Sequence, residues 1–225
     1  EEKGRRRALT RAELERLGDE LHRTEATNPR IVLLVRLLAL TGVRRSEVVG
    51  HIHRVRGGDA LRWGDVDLDR GLVTLRDSKT GPQVRVIGQA AADLLQVARS
   101  EGAEDDDYVI PGAKEDQPYR AVNTTRRRLW KRAGLPLERG GDLHSRRHTF
   151  ASIGAHVQGG RYAGLVGALL GHGHQAKAIT RRYITDDPEA LRPAADAISG
   201  AIAGHLGLSE PAHVVEFPQV TEAKA

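Results

Sequence analysis

The chain contains no cysteine, which excludes disulfide scaffolds, thiol nucleophiles and cysteine metal sites together. Methionine is absent as well, even at position 1, so the sequence reads as a trimmed piece of a longer protein with domains upstream. Long apolar runs are also missing. The longest, Ile31 to Leu40, is interrupted by Arg36 and is about half the ~20 residues that span a bilayer. Nothing at the N-terminus reads as a signal peptide, and a cytoplasmic, chromosome-associated location is expected.

What is present is a chain of 225 residues, 39% hydrophobic and 29% charged, with a mean hydropathy of −0.45. Those values belong to a globular protein with one substantial domain plus extensions. Lys and Arg total 35 against 30 Asp and Glu, and the pI is near 9.8. An excess of positive charge favours an anionic partner.

Thr10 and Glu13 form a Thr-x-x-Glu capping box ahead of Leu14, Leu17 and Leu21 at helical spacing, which predicts a first helix ending near Arg23. Asn28 and Pro29 suit the cap and first position of a second helix, buried because its Ile31–Leu40 run is apolar nearly all round. Thr41 and Gly42 stop it. Three short strands are expected at Ala60 to Trp63, Leu72 to Arg76 and Gln83 to Ile87, forming a small antiparallel sheet. The turns between them fall at Asp69-Arg70-Gly71 and Lys79-Thr80-Gly81. Helical patterns follow at 90–99, 120–133, 144–157, 162–170, 176–184 and 189–206. The expected fold class is α+β, mainly α.

Five segments carry charge or hydrogen-bonding groups at element edges. They are Thr41-Gly42-Val43-Arg44-Arg45-Ser46-Glu47, Ser78-Lys79-Thr80-Gly81, His144-Ser145-Arg146-Arg147-His148, Leu169-Leu170-Gly171-His172 and Thr180-Arg181-Arg182-Tyr183. Each alone fits an ordinary helix cap or hairpin turn. In this order and spacing, from about Arg5 to Leu208, the chain resembles the tyrosine recombinases of the phage integrase family.

The resemblance implies an integrase-like catalytic core at 9–208, with 1–8 a linker remnant from an N-terminal core-binding domain and 209–225 a flexible tail. It implies an active site of Arg44, Lys79, His144, Arg147, His172 and Tyr183, with no metal, ATP or other cofactor. The implied activity is site-specific cutting and rejoining of double-stranded DNA through a 3′-phosphotyrosyl bond, as in integration or excision of mobile DNA. The rival reading is a DNA-binding relative that has lost cleavage. A third is a topoisomerase.

The chemistry suits these residue types. Attack on a DNA phosphodiester loads negative charge onto the non-bridging oxygens, which two guanidiniums such as Arg44 and Arg147 can grip. A lysine surrounded by cations can protonate the leaving 5′ oxygen, the role implied for Lys79. His144 would handle the tyrosine proton, and His172 would donate to the phosphate.

Outside this set, Arg120, Arg126, Arg127, Arg128, Lys131 and Arg132 lie on one predicted helix without an acid, a pattern that suits a DNA backbone or groove better than the alternative of a solvated face. Leu129 and Trp130 would anchor its other side. Histidines at 144, 148, 172 and 174 could suggest half a zinc site, but the residues between the first pair lack the zincin Glu. The run Asp105 to Asp107 fits a solvated loop better than a metal nuclease.

The chain departs from the family pattern in three places. About ten extra residues, roughly His51 to Ala60, precede Leu61-Arg62-Trp63. His172 and Tyr183 are eleven apart where about nine is usual, and Arg146 occupies a position often filled by Leu. The last predicted helix carries an apolar stripe of Leu191, Ala194, Ala195, Ile198, Ile202 and Leu206. The resemblance implies that this stripe docks on a neighbouring copy, linking a homo-oligomer (a tetramer) on DNA; the alternative is that the helix folds back on its own core.

Overall fold

The computed structural model describes residues 8–51, 60–76, 82–114, 117–136, 142–171 and 187–208, of which 142–145 and 188 are described in backbone only. The expected capping box forms: Glu13 N donates to Thr10 Oγ1 at 3.3 Å, Thr10 N donates to Glu13 Oε2 at 2.8 Å, and helix α1 runs over Arg11–Glu25. Helix α2, Pro29–Thr41, ends as expected at Gly42, whose φ of 66° is the left-handed conformation that favours glycine. The site also lacks room for a side chain, since a Cβ at Gly42 would crowd Leu170 and Phe150.

Every residue of α2 from Ile31 to Thr41 is buried. Helix α2 forms the centre of the domain because it has no polar face to give to water. Its one buried charge, Arg36, is met by Glu25 at the end of α1, with Nη2 donating to Oε2 at 2.9 Å. Around α2 pack α1, the short α3 (Arg45–Val49), α4 (Gln89–Ala98), α5 (Val122–Arg132), α6 (Asp142–Gly160) and the last helix. Helix α7 is a single turn, Val166–Leu169. Helix α8, Arg192–His205, follows a 3-10 turn at Pro188–Leu191.

The sheet has three antiparallel strands in the order β1 (Val66–Asp67), β2 (Leu72–Leu75), β3 (Gln83–Val86). Leu72 faces Val86 and Leu75 faces Gln83. The first strand therefore begins later than the sequence predicts. Residues Trp63–Asp65 form a 3-10 turn instead, because Asp65 Oδ2 accepts from Arg62 N at 3.1 Å and closes the chain on itself. Trp63, at 4% exposure, anchors that turn in the core.

The expectation for the last helix needs correcting. Leu191, Ala194, Ala195, Ile198, Ile202 and Leu206 are all buried, at 0–4% exposure, within this single chain. Helix α8 lays the stripe against α6, α2, α4 and α1, the usual fate of an amphipathic face with a core within reach. The stripe does not present a docking surface for a second copy. The tail and the predicted 176–184 helix lie outside the described residues.

Candidate active site

Arg44 is the residue before α3, in extended backbone with φ −80° and ψ 147°. Glu47, three residues on, ties it down twice. Arg44 N donates to Oε2 at 2.6 Å, and Arg44 Nη1 donates to Oε1 at 2.7 Å. Glu47 is 3% exposed, whereas the Arg44 side chain is 30% exposed. The guanidinium is thus anchored from the protein side and open on the other.

The extra residues before Leu61 do not pull this corner apart. Leu61 N donates to Val48 O at 3.0 Å, so the chain returns to α3 immediately after the insertion. Residues 52–59 within it lie outside the described set.

Arg147 arrives from α6 and is nearly buried, at 6% exposure. Its Nη1 donates to Gly42 O at 2.9 Å and its Nη2 to Leu170 O at 2.5 Å. It therefore bridges the end of α2 to the turn that follows α7, and Gly42 lies two residues before Arg44. Burial pushes the Arg147 pKa down to about 10. Repulsion from Arg44 and Arg85 adds to the shift, and Glu47 partly offsets it. The group remains charged at neutral pH, and burial is the main reason its pKa is lowered.

The two arginines expected to grip phosphate thus converge on one corner, from motifs about a hundred residues apart. His144 lies in α6 one turn before Arg147, its side chain outside the described residues. Lys79, His172 and Tyr183 also lie outside them. Lys79 falls in the chain joining β2 to β3. His172 follows Gly171, the last described residue of its segment.

Two residues at this corner carry no role in the sequence reading. Glu47 appears there only as a motif letter. Arg85, on β3, is 4% exposed, and its Nη2 lies 4.0 Å from Glu47 Oε1. A signal existed: period-two alternation puts Arg85 on the same strand face as the buried Ile87.

Arg146, where the family often has Leu, is fully buried and stacks on Trp130, its Cζ 4.3 Å from the ring centroid. Burial and the nearby Arg126 lower its pKa well below the ordinary value. Burial also depresses Arg126, helped by Arg127 and Arg45. Arg45 is lowered by burial and Arg120. A continuous basic region therefore runs from beside Arg44 to α5.

On α5 the expected division is present. Val122, Leu129 and Trp130 are buried, while Arg127, Arg128 and Lys131 are exposed. Two of the basic residues point to protein groups rather than away from the fold. Arg132 Nε pairs with Glu20 on α1 at 2.7 Å, and Arg120 Nη1 donates to His51 O at 2.8 Å. Of the four histidines that suggest zinc, His148 is described and is half-buried on α6.

A model of the phage integrase family matches residues 7–190. The chain is 31% identical over 194 residues to the tyrosine recombinase XerA of Thermococcus kodakarensis, covering 84% of this chain and 61% of that protein. It is 34% identical over 144 residues to the tyrosine recombinase XerC of Xanthomonas axonopodis pv. citri, covering 61% of this chain and 44% of that protein. It thus spans less than two thirds of the length of these curated relatives. In fold it is similar to a λ integrase fragment (residues 75–356) solved as a dimer on a COC′ core site, with TM-score 0.52 and 22% identity, covering 76% of this chain and 59% of that one. It is also similar to the XerA recombinase structure, with TM-score 0.51 and 22% identity, covering 82% of this chain and 62% of that one.

Proposed function

Because the chain belongs to the phage integrase family, we propose that it is the catalytic part of a site-specific recombinase that breaks and rejoins double-stranded DNA. The observation that carries this reading is the convergence of Arg44 and Arg147. They share one corner, where the buried Arg147 guanidinium donates to the backbone carbonyls of Gly42 and Leu170. Carbonyls orient an arginine without neutralising it, and a charged guanidinium held in this way suits a phosphate.

In the proposed reaction the Tyr183 hydroxyl oxygen attacks the scissile phosphorus while the bond to the 5′ oxygen breaks. His144 takes the tyrosine proton and Lys79 supplies a proton to the leaving oxygen. Arg44 and Arg147 stabilise the charge that builds on the non-bridging oxygens, with His172 adding a hydrogen bond. The 3′-phosphotyrosyl bond keeps the free energy of the broken link, and attack by a 5′ hydroxyl reverses the step. Arg127, Arg128 and Lys131 on the outer face of α5 follow the adjacent phosphates. The protein works as a homo-oligomer on its DNA site, in the cytoplasm, and integration or excision of mobile DNA is the outcome.

The test is incubation with nicked DNA carrying the neighbouring genomic attachment site. A covalent adduct is expected with the unaltered protein and none with Tyr183→Phe, while DNA binding stays near normal. An adduct that survives in Tyr183→Phe overturns the mechanism. Binding without any adduct, in the unaltered protein, favours the cleavage-deficient relative.

A further inference from the structure

Arg85 occupies an unusual place for a charged strand residue. It is nearly sealed from solvent, and its Nη2 lies 4.0 Å from Glu47 Oε1, the same oxygen that accepts from Arg44 Nη1 at 2.7 Å. On its other side the guanidinium lies against Gly171, so closely that a Cβ added there would overlap it. Gly171 has φ +70° and follows Leu170, whose carbonyl accepts from Arg147. Arg85 thus touches both supports of the phosphate grip: the carboxylate behind Arg44 and the turn behind Arg147.

We propose that Arg85 is a positioning residue for DNA strand cleavage, one that offsets the Glu47 carboxylate and seats the Leu170-Gly171 turn leading into His172. This rests on the recombinase reading given above. Among the described residues, the corner holds three guanidiniums, Arg44, Arg85 and Arg147, and one carboxylate, Glu47, for a net charge of two. A phosphodiester brings one negative charge, and the pentacoordinate transition state approaches two. Positive charge at this corner therefore gains more from the transition state than from the bound ground state, the condition for accelerating the chemical step.

Without Arg85 the net charge falls to one, and Glu47 competes with the phosphate for Arg44. Burial sharpens this competition, because charges interact more strongly away from water. DNA affinity would change little, since it derives largely from exposed phosphate contacts elsewhere. Arg85 does not itself reach the DNA. Its effect passes through Glu47 and Gly171.

The test is single-turnover adduct formation by the full-length protein on nicked attachment-site DNA, with affinity for the same DNA measured in parallel. Arg85→Met is expected to slow cleavage by about 10- to 100-fold and to change the DNA Kd by less than about threefold. Arg85→Lys should recover part of the loss. Adding Glu47→Gln to Arg85→Met restores the net charge of these four positions, so the double variant should lose less than the product of the two single losses, even though Gln anchors Arg44 less well. Cleavage by Arg85→Met at the unaltered rate overturns the proposal. So does a double variant whose loss equals or exceeds the product of the two single losses, the result of mere packing damage. Should Arg85→Met not fold, Arg85→Lys and Arg85→Gln decide: about tenfold faster cleavage by Lys supports the proposal, and equal rates overturn it. An unaltered protein that forms no adduct refutes the recombinase reading itself, a different result from a normal adduct unaffected by changes at Arg85.

Discussion

The Arg146 guanidinium lies flat enough on Trp130 to bring its Cζ 4.3 Å from the ring centroid, with both side chains buried. This contact fastens α5 to α6, and α6 carries Arg147 at the next position. A desolvated cation over an indole gains about 2 kcal/mol, which helps to offset the cost of burying the charge beside Arg126.

Trp130→Ala should therefore destabilise the fold by about 3 to 5 kcal/mol, combining a lost large side chain with a lost ring face. Trp130→Phe keeps an aromatic face and should cost clearly less. Urea denaturation of the three proteins checks the order. Equal stability of the Phe and Ala variants would show that the ring face contributes nothing to holding Arg146.

The buried stripe of α8 makes a second prediction. Ile198, at 0% exposure, packs in the main core, so Ile198→Ala should cost about 2 to 5 kcal/mol. Ending the chain after Thr185 should markedly lower the melting temperature of the DNA-free protein, because α2, α4 and α6 lose a shared neighbour. A truncated protein that melts normally would show that α8 is dispensable to its own core.

The sequence makes α1, α2, α4 and α5 readable because their apolar spacing is local, as are the capping box of α1 and the Gly42 stop of α2, and local signals survive folding unchanged. The pairing of Arg44 with Arg147 is readable only through the resemblance, since no local rule brings positions so far apart together. Other features turn on tertiary contacts. The start of β1 shifts because one Asp65 hydrogen bond is enough to turn the chain at Trp63. The stripe of α8 looks the same in sequence whether it is covered in cis or in trans. Arg146 reads as misplaced until Trp130, sixteen residues earlier, proves to be its stacking partner.

The division of labour on α5 predicts different effects for neighbouring arginines. Arg127 and Arg128 are exposed, so replacing both with Ala should flatten the slope of log K against log salt by about 2, near 0.9 per phosphate contact. Arg132 is held by Glu20, which is buried to 3% exposure. Arg132→Ala should leave the slope unchanged and instead loosen the α1–α5 contact, visible as a lower melting temperature. Identical slopes for the unaltered protein and the double variant would return this face to ordinary solvated charge.

The last prediction concerns the protein without DNA. Arg147 is buried beside Arg44 and Arg85, and burial followed by their repulsion, partly offset by Glu47, lowers its pKa to about 10. An oxyanion binding between Arg44 and Arg147 would relieve their repulsion and stabilise the folded state by mass action. At ten times its Kd the gain is about 1.4 kcal/mol, or about 3 to 6 °C for a domain of this size. Sulfate also raises melting temperatures without binding, by exclusion from protein surfaces, so the comparison must be between proteins at one sulfate concentration. The shift produced by sulfate over sodium chloride of equal ionic strength should be larger in the unaltered protein than in Arg44→Ala. The excess measures the site, because exclusion acts on both proteins alike. Equal shifts in the two would mean that the corner does not bind an anion before DNA arrives.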